Sequence, residues 1–215
     1  MLVDLEKKLK ELKKSSDTPK IIKKKIEKAN QELKEKGTVD GLSIGDRAPD
    51  FTLPDQLNKK VNLYDVLENN QVILTFYRES WWPYCSLQLQ AYQEALPEIN
   101  DLGAKLIAIS PQTPDHSLTQ QEKENLSFKL LSDTKGEVAK KYNILFEVPP
   151  VIKEIYKGFG LDLNEYNEAE KWILPVPGLF IINKDGIIKF AEVDVDYTKR
   201  IGPKRIIDKL KNYNF

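Results

Sequence analysis

Val72-Ile73-Leu74-Thr75-Phe76-Tyr77 is a run of apolar, β-branched and aromatic residues, with polar Asn69-Asn70-Gln71 before it and Arg78-Glu79 after it. Its length and composition predict a strand buried on both faces. Pro83 then opens a helix running towards Leu102, since proline is pre-organised for a first helical position. Lys105-Leu106-Ile107-Ala108-Ile109-Ser110 is a second run of the same buried character, and Phe128-Lys129-Leu130-Leu131 is a shorter third. Strands alternating with helices predict a layered α/β domain with a largely parallel sheet. Gly178-Leu179-Phe180-Ile181-Ile182 and Ile187-Ile188-Lys189-Phe190-Ala191 flank Asn183-Lys184-Asp185-Gly186, a hairpin signal because Asp-Gly tolerates positive φ. This pair makes the sheet mixed, and an amphipathic helix from Pro203 to Tyr213 covers one of its faces.

Upstream, Phe51-Thr52-Leu53 and Val61-Asn62-Leu63 flank a turn-rich segment and predict a short hairpin at the domain entry. Residues 144–173 read as an insertion of mixed helix and loop. The texture changes near Gly41, which divides the chain into 1–40 and 45–215. In the first part Leu2, Leu5, Leu9 and Leu12 recur at helical spacing, as do Ile22, Ile26, Ala29 and Leu33. They predict an α-helical hairpin, with Ser15-Ser16-Asp17-Thr18-Pro19 supplying a cap and a proline at the first helical position, and Gly37 closing the second helix. The alternative for this lysine- and glutamate-rich stretch is a solvated charge run; as a packed hairpin it is a candidate interface for a homodimer.

Lysine plus arginine and aspartate plus glutamate number 33 each, so net charge points to neither nucleic acid nor an anionic membrane as a partner. No apolar run approaches the roughly 20 residues that cross a bilayer, and Met1-Leu2-Val3-Asp4-Leu5-Glu6 begins no secretory apolar region, so a cytoplasmic location is expected. The chain has one cysteine, Cys85, and one histidine, His116. That excludes an internal disulfide, an iron–sulfur cluster and a multi-cysteine or histidine-rich metal site, and no cofactor or metal is expected.

Gly45-Asp46-Arg47-Ala48-Pro49-Asp50-Phe51-Thr52-Leu53 resembles the opening of the alkyl hydroperoxide reductase and thiol-specific antioxidant superfamily, the peroxiredoxins. Phe76-Tyr77-Arg78-Glu79-Ser80-Trp81-Trp82-Pro83-Tyr84-Cys85 resembles its active-site segment, Ser110-Pro111-Gln112-Thr113-Pro114-Asp115 its loop after the second strand, and Leu130-Leu131-Ser132-Asp133 its third strand. Leu174-Pro175-Val176-Pro177 and Asp196-Tyr197-Thr198-Lys199-Arg200 are similar to a branch with a thioredoxin-style Cys-Pro-Tyr-Cys motif. The resemblance covers about 45–211 and implies a thioredoxin-like fold: a central mixed sheet with helices on both faces. The superfamily's proline, hydroxyl residue and peroxidatic cysteine correspond here to Arg78, Trp82 and Cys85; the branch's first motif cysteine also falls on Trp82. An arginine before the late strand corresponds to Pro177, where thioredoxins carry a cis-proline, so a cis Val176–Pro177 bond is expected.

The resemblance implies a thiol-dependent peroxidase in which Cys85 attacks hydrogen peroxide or an organic hydroperoxide. With no second cysteine, the sulfenic acid passes to an external thiol such as thioredoxin or a low-molecular-weight thiol. Cys85 falls in the first turn of its helix, where unpaired N–H groups and the macrodipole favour thiolate, and Arg78 is the nearest candidate cation in sequence. Trp81, Trp82, Pro83 and Pro177 are the candidate substrate pocket. An alternative for Cys85 is core packing, because Cys85, Leu89, Tyr92, Leu96 and Ile99 form one helical stripe. The matching whole-protein alternative is a catalytically silent binding or interaction module plugged by Trp82. A thiol–disulfide oxidoreductase lacks its nucleophile at Trp82. His116, placed in a polar loop, reads as a surface or capping residue.

Overall fold

The computed structural model describes residues 3–167 and 172–212; Leu2 and Tyr213, named above, lie outside them. The two N-terminal helices are present as α1 (Leu5–Ser15) and α2 (Lys20–Glu35). Asp4 caps α1 by accepting from the Lys7 amide at 3.0 Å. Pro19 sits one place earlier than expected, as the N-cap of α2, and Gly37 ends that helix at φ +58°. The hairpin is packed. Leu5 and Leu9 bury against Ala91 beside Tyr84 and Leu87, whereas α2 buries no residue fully and leans Ile26 and Ala29 on the cluster of Val148, Ile152 and Tyr156.

A two-stranded entry hairpin, β1 (Thr52–Pro54) with β2 (Lys60–Asn62), leads through the short α3 (Leu63–Leu67) into β3 (Gln71–Phe76). There follow α4 (Pro83–Asp101), β4 (Ala104–Ser110), α5 (Pro114–Glu124), β5 (Lys129–Ser132) and α6 (Glu137–Lys141). The insertion 144–173 is more regular than expected. It contains β6 (Leu145–Glu147), α7 (Pro150–Gly158) and a 3-10 turn at Leu163–Glu165, and β6 pairs antiparallel with β7 (Ile173–Pro175). The last elements are β8 (Gly178–Ile182), β9 (Ile188–Val193) and α8 (Pro203–Asn212).

The main sheet has the order β5-β4-β3-β8-β9, with β3–β4 and β4–β5 parallel and β3–β8 and β8–β9 antiparallel. It is thus a central mixed sheet with helices on both faces. Every residue of β3 is buried, and side chains alternate between two cores because successive strand residues face opposite ways. Val72, Leu74 and Phe76 enter the core that α3 and α6 close; Ile73 and Tyr77 enter the other, closed by α4 and α8. Full burial of each such aliphatic side chain stabilises by roughly 1.5–3 kcal/mol. The predicted α4 stripe of Cys85, Leu89, Tyr92, Leu96 and Ile99 faces this second core throughout. At the β8–β9 turn, Gly186 has φ +79°, and a Cβ there would meet Tyr64 Oη at 2.5 Å.

Candidate active site

The β3 ladder continues one residue past the strand, Tyr77 N–H donating to Ile109 O at 3.0 Å. The chain then turns through 78–82 and enters α4 at Pro83, which places Cys85 in the first helical turn. The Cys85 and Ser86 amides both donate to the Trp82 carbonyl, at 2.8 and 3.3 Å. The expected unpaired N–H groups are therefore not these two, and the helix supplies its dipole more than free donors. Cys85 has 0% exposure.

The guanidinium that meets the sulfur is that of Arg200, not Arg78. Its Nη2 lies 3.8 Å from Cys85 Sγ, while Nη1 donates to the carbonyls of Tyr197 and, at 2.7 Å, Lys199. The loop carrying it is pinned by Asp194, which accepts from the Asp196 amide, and by Asp196, which accepts from the Thr198 amide and hydroxyl. Burial holds the Arg200 pKa below its ordinary value, with the nearby sulfur of Cys85 opposing that shift only in part. Sequence reasoning missed this residue. The sequence signal for it is the block Asp196–Arg200, which carries a family likeness but nothing local that ties it to Cys85.

Arg78, 3% exposed, donates through Nη1 to Tyr156 Oη at 3.0 Å and is held among the rings of Tyr197, Trp82 and Phe146, at 4.9, 5.5 and 5.6 Å. Glu79, 0% exposed, accepts from the Trp81 indole N–H. Burial pushes its carboxyl up to about 8, against the opposing influence of Trp81, Asn167 and Arg78. Two buried guanidinium groups therefore share the region with a carboxyl biased towards its neutral form.

The four predicted pocket residues do not line one pocket. Trp81 and Trp82 pack edge to face at 5.0 Å, and Trp82 also contacts Tyr197 at 4.9 Å. Trp82 packs onto the core around Cys85. Trp81 and Pro83 line an open groove with Leu87, His116 and Tyr166. Pro177 instead borders a separate small cavity beside Arg200. The expected cis bond is corrected: Val176–Pro177 is trans. His116 lies in the first turn of α5 and not in a loop, its Nε2 3.0 Å from Glu165 O and its ring 4.8 Å from that of Tyr166. Among the described residues no three His, Cys, Asp or Glu side chains gather as a metal site, and no helix is long and apolar enough to cross a membrane.

A family model described as the AhpC/TSA family matches residues 44–191. Peroxiredoxin Bcp of Escherichia coli (strain K12) is 34% identical over 103 residues, covering 48% of this chain and 65% of that protein, so this chain spans less than two thirds of that relative. Putative peroxiredoxin Rv2521 of Mycobacterium tuberculosis is 28% identical over 168 residues, covering 76% of this chain and 93% of that one. Among solved structures, peroxidoxin BcpB from Mycobacterium tuberculosis superposes with TM-score 0.64 at 19% identity, over 80% of this chain and 98% of that one. A yeast mitochondrial 1-Cys peroxiredoxin superposes with TM-score 0.58 at 18% identity, over 77% and 73%. These superpositions carry the fold.

Proposed function

The chain belongs to the AhpC/TSA family, whose model spans residues 44–191, and on that premise we propose that it is a thiol-dependent peroxidase using Cys85 alone. The single observation that carries this reading is the Arg200 guanidinium 3.8 Å from the Cys85 sulfur, inside the first turn of α4. A cation and a helix N-terminus on one sulfur stabilise thiolate, which is the nucleophilic form. The thiolate attacks one oxygen of a hydroperoxide; an S–O bond forms, the O–O bond breaks, and the leaving oxygen takes a proton to become water or an alcohol. Sulfur is oxidised by two electrons and the peroxide is reduced by two.

Trp82 stands where the branch with two motif cysteines has its first, so the sulfenic acid is resolved from outside. One external thiol condenses with it, releasing water and leaving a mixed disulfide. A second thiol displaces the first, restoring Cys85 and giving an external disulfide. Thioredoxin or a low-molecular-weight thiol of a cytoplasmic pool fits that role.

A second reading, a silent interaction module, is favoured by the 0% exposure of Cys85. One experiment separates the two. The reduced full chain is pulsed with one equivalent of hydrogen peroxide in the presence of dimedone, and Cys85 is analysed by mass spectrometry. A dimedone adduct on Cys85 is the expected result; an unmodified thiol throughout leaves the module reading.

A further inference from the structure

Among the described residues, Arg78 is a buried cation that no carboxylate meets. It is 3% exposed; its guanidinium donates to one acceptor, Tyr156 Oη, and its Nε–H has no partner. The adjacent Glu79 does not supply the missing negative charge. Its carboxyl accepts from the Trp81 indole, and burial, which pushes its pKa up to about 8, holds it largely protonated at neutral pH. The rings of Tyr197, Trp82 and Phe146 offset part of the cost of burying the cation. They leave its formal charge in place, and an unpaired buried charge is costly.

Arg78 stands on the wall of a cavity with about 30 Å³ available to a water-sized molecule, between α2, β6 and the start of α7. A single water takes about 10–15 Å³ on that measure, so there is room for a small ion. Two further features of the wall favour negative charge. Pro149 and Ile152 belong to the N-terminus of α7, the positive end of that helix, which has no side-chain cap and no acidic residue in its first turn. Tyr156 is the second feature. Arginine can only donate, so Tyr156 Oη accepts from Arg78 at 3.0 Å, and its own O–H has no acceptor among the described residues. Burial raises the Tyr156 pKa, which keeps that proton in place. Asn30 of α2 brings an amide that can also donate, and among the described residues no Asp or Glu lines the cavity.

We propose that this cavity is a binding site for a small monovalent anion of the chloride class, held by Arg78 Nε–H and Tyr156 O–H at the N-terminus of α7. A water would satisfy the same two donors but would leave the guanidinium charge unbalanced. The site is independent of the chemistry at Cys85 and goes beyond the peroxidase reading. It also gives the ion a structural consequence. Helix α2 closes the cavity with Ile26, Ala29 and Leu33 yet buries no residue fully, so an ion bound beneath it strengthens its hold on the insertion.

The test is thermal unfolding of the full chain in potassium chloride and in potassium gluconate at equal ionic strength, so that screening of the exposed lysines is the same in both. A saturable rise in Tm of about 2–4 °C in chloride over gluconate is expected, with bromide giving a similar rise. Arg78→Met removes the cation and is expected to abolish the rise. Arg78→Lys keeps a charge without the planar fork and should retain part of it. Tryptic cleavage within α2 should slow in chloride for the unmodified protein and not for Arg78→Met. Equal Tm values in chloride and gluconate overturn the proposal, as does an Arg78→Met protein that keeps the full rise. If Arg78→Met does not fold, crystals of the unmodified chain grown in bromide decide the matter: an anomalous peak beside Arg78 and Tyr156 supports the site, and a water alone there overturns it.

Discussion

Arg200 Nη2 and Cys85 Sγ, 115 positions apart in the chain, lie 3.8 Å from each other in the core beneath the β9–α8 loop. The contact joins the start of α4 to a loop held by Asx turns, and two backbone carbonyls position the guanidinium. Arg200→Met is expected to lower the rate of Cys85 oxidation by hydrogen peroxide about 10- to 100-fold, because hydrogen bonds to charged groups are worth about 1.5–3 kcal/mol. Arg200→Lys keeps a charge but not the fork that grips both the loop carbonyls and the sulfur, so it should recover only part of the rate. Stopped-flow fluorescence of Trp81 and Trp82 reads both variants, and an Arg200→Met rate equal to that of the unmodified protein would exclude the role.

Glu79 links pH to stability. Its folded carboxyl is pushed up to about 8 from the ordinary range near 4.5, with burial as the main cause. Below about pH 4 both folded and unfolded states carry the proton, and the contribution to stability is complete. Between about pH 4.5 and 8 the unfolded chain ionises while the folded one does not, so stability declines, and the decline ends above the folded value. Glu79→Gln removes this dependence and still accepts from Trp81. Relative to the unmodified protein, it should gain on the order of 1–4 kcal/mol between pH 4 and pH 8 in urea melts; parallel curves would show that the carboxyl ionises freely.

Trp82 packs on the core cluster that contains Cys85. Its ring meets Trp81, Tyr156 and Tyr197 at 5.0, 5.7 and 4.9 Å. Trp82→Ala should cost up to about 3–5 kcal/mol, the range for truncating a packed aromatic. It should also speed alkylation of Cys85 by a bulky maleimide at least several-fold. Unchanged alkylation would assign the cover to other residues.

The N-terminal helices divide sharply in what they contribute. Leu9 of α1 is 5% exposed and packs near Ala91, whereas Ile21 of α2 is 67% exposed. Leu9→Ala should destabilise by about 2–5 kcal/mol, and Ile21→Ala should stay within about 0.5 kcal/mol of the unmodified protein. Thermal unfolding of the two variants side by side checks the contrast.

Much of the architecture was legible because its signals are local. The apolar run 72–77, the Pro83 helix start and the Asp185-Gly186 turn each depend on a few adjacent residues. The β6–β7 pair was not legible: each strand has three residues, and they meet across the insertion only once α7 has folded back between them. The start of α5 is not legible either, since Pro114-Asp115 serves a turn and a helix N-terminus equally well.

For the site, the sequence alone determined that Cys85 is the only thiol, that it opens a helix after a buried strand, and that Trp82 stands before it without a hydroxyl. Those are matters of composition and short-range order. The tertiary structure decided which cation reaches the sulfur, and that Pro177 lies on a different cavity from Trp81 and Pro83. Such distances depend on how a distant loop packs onto α4, and helical or strand periodicity carries no information about contacts between segments more than 100 residues apart.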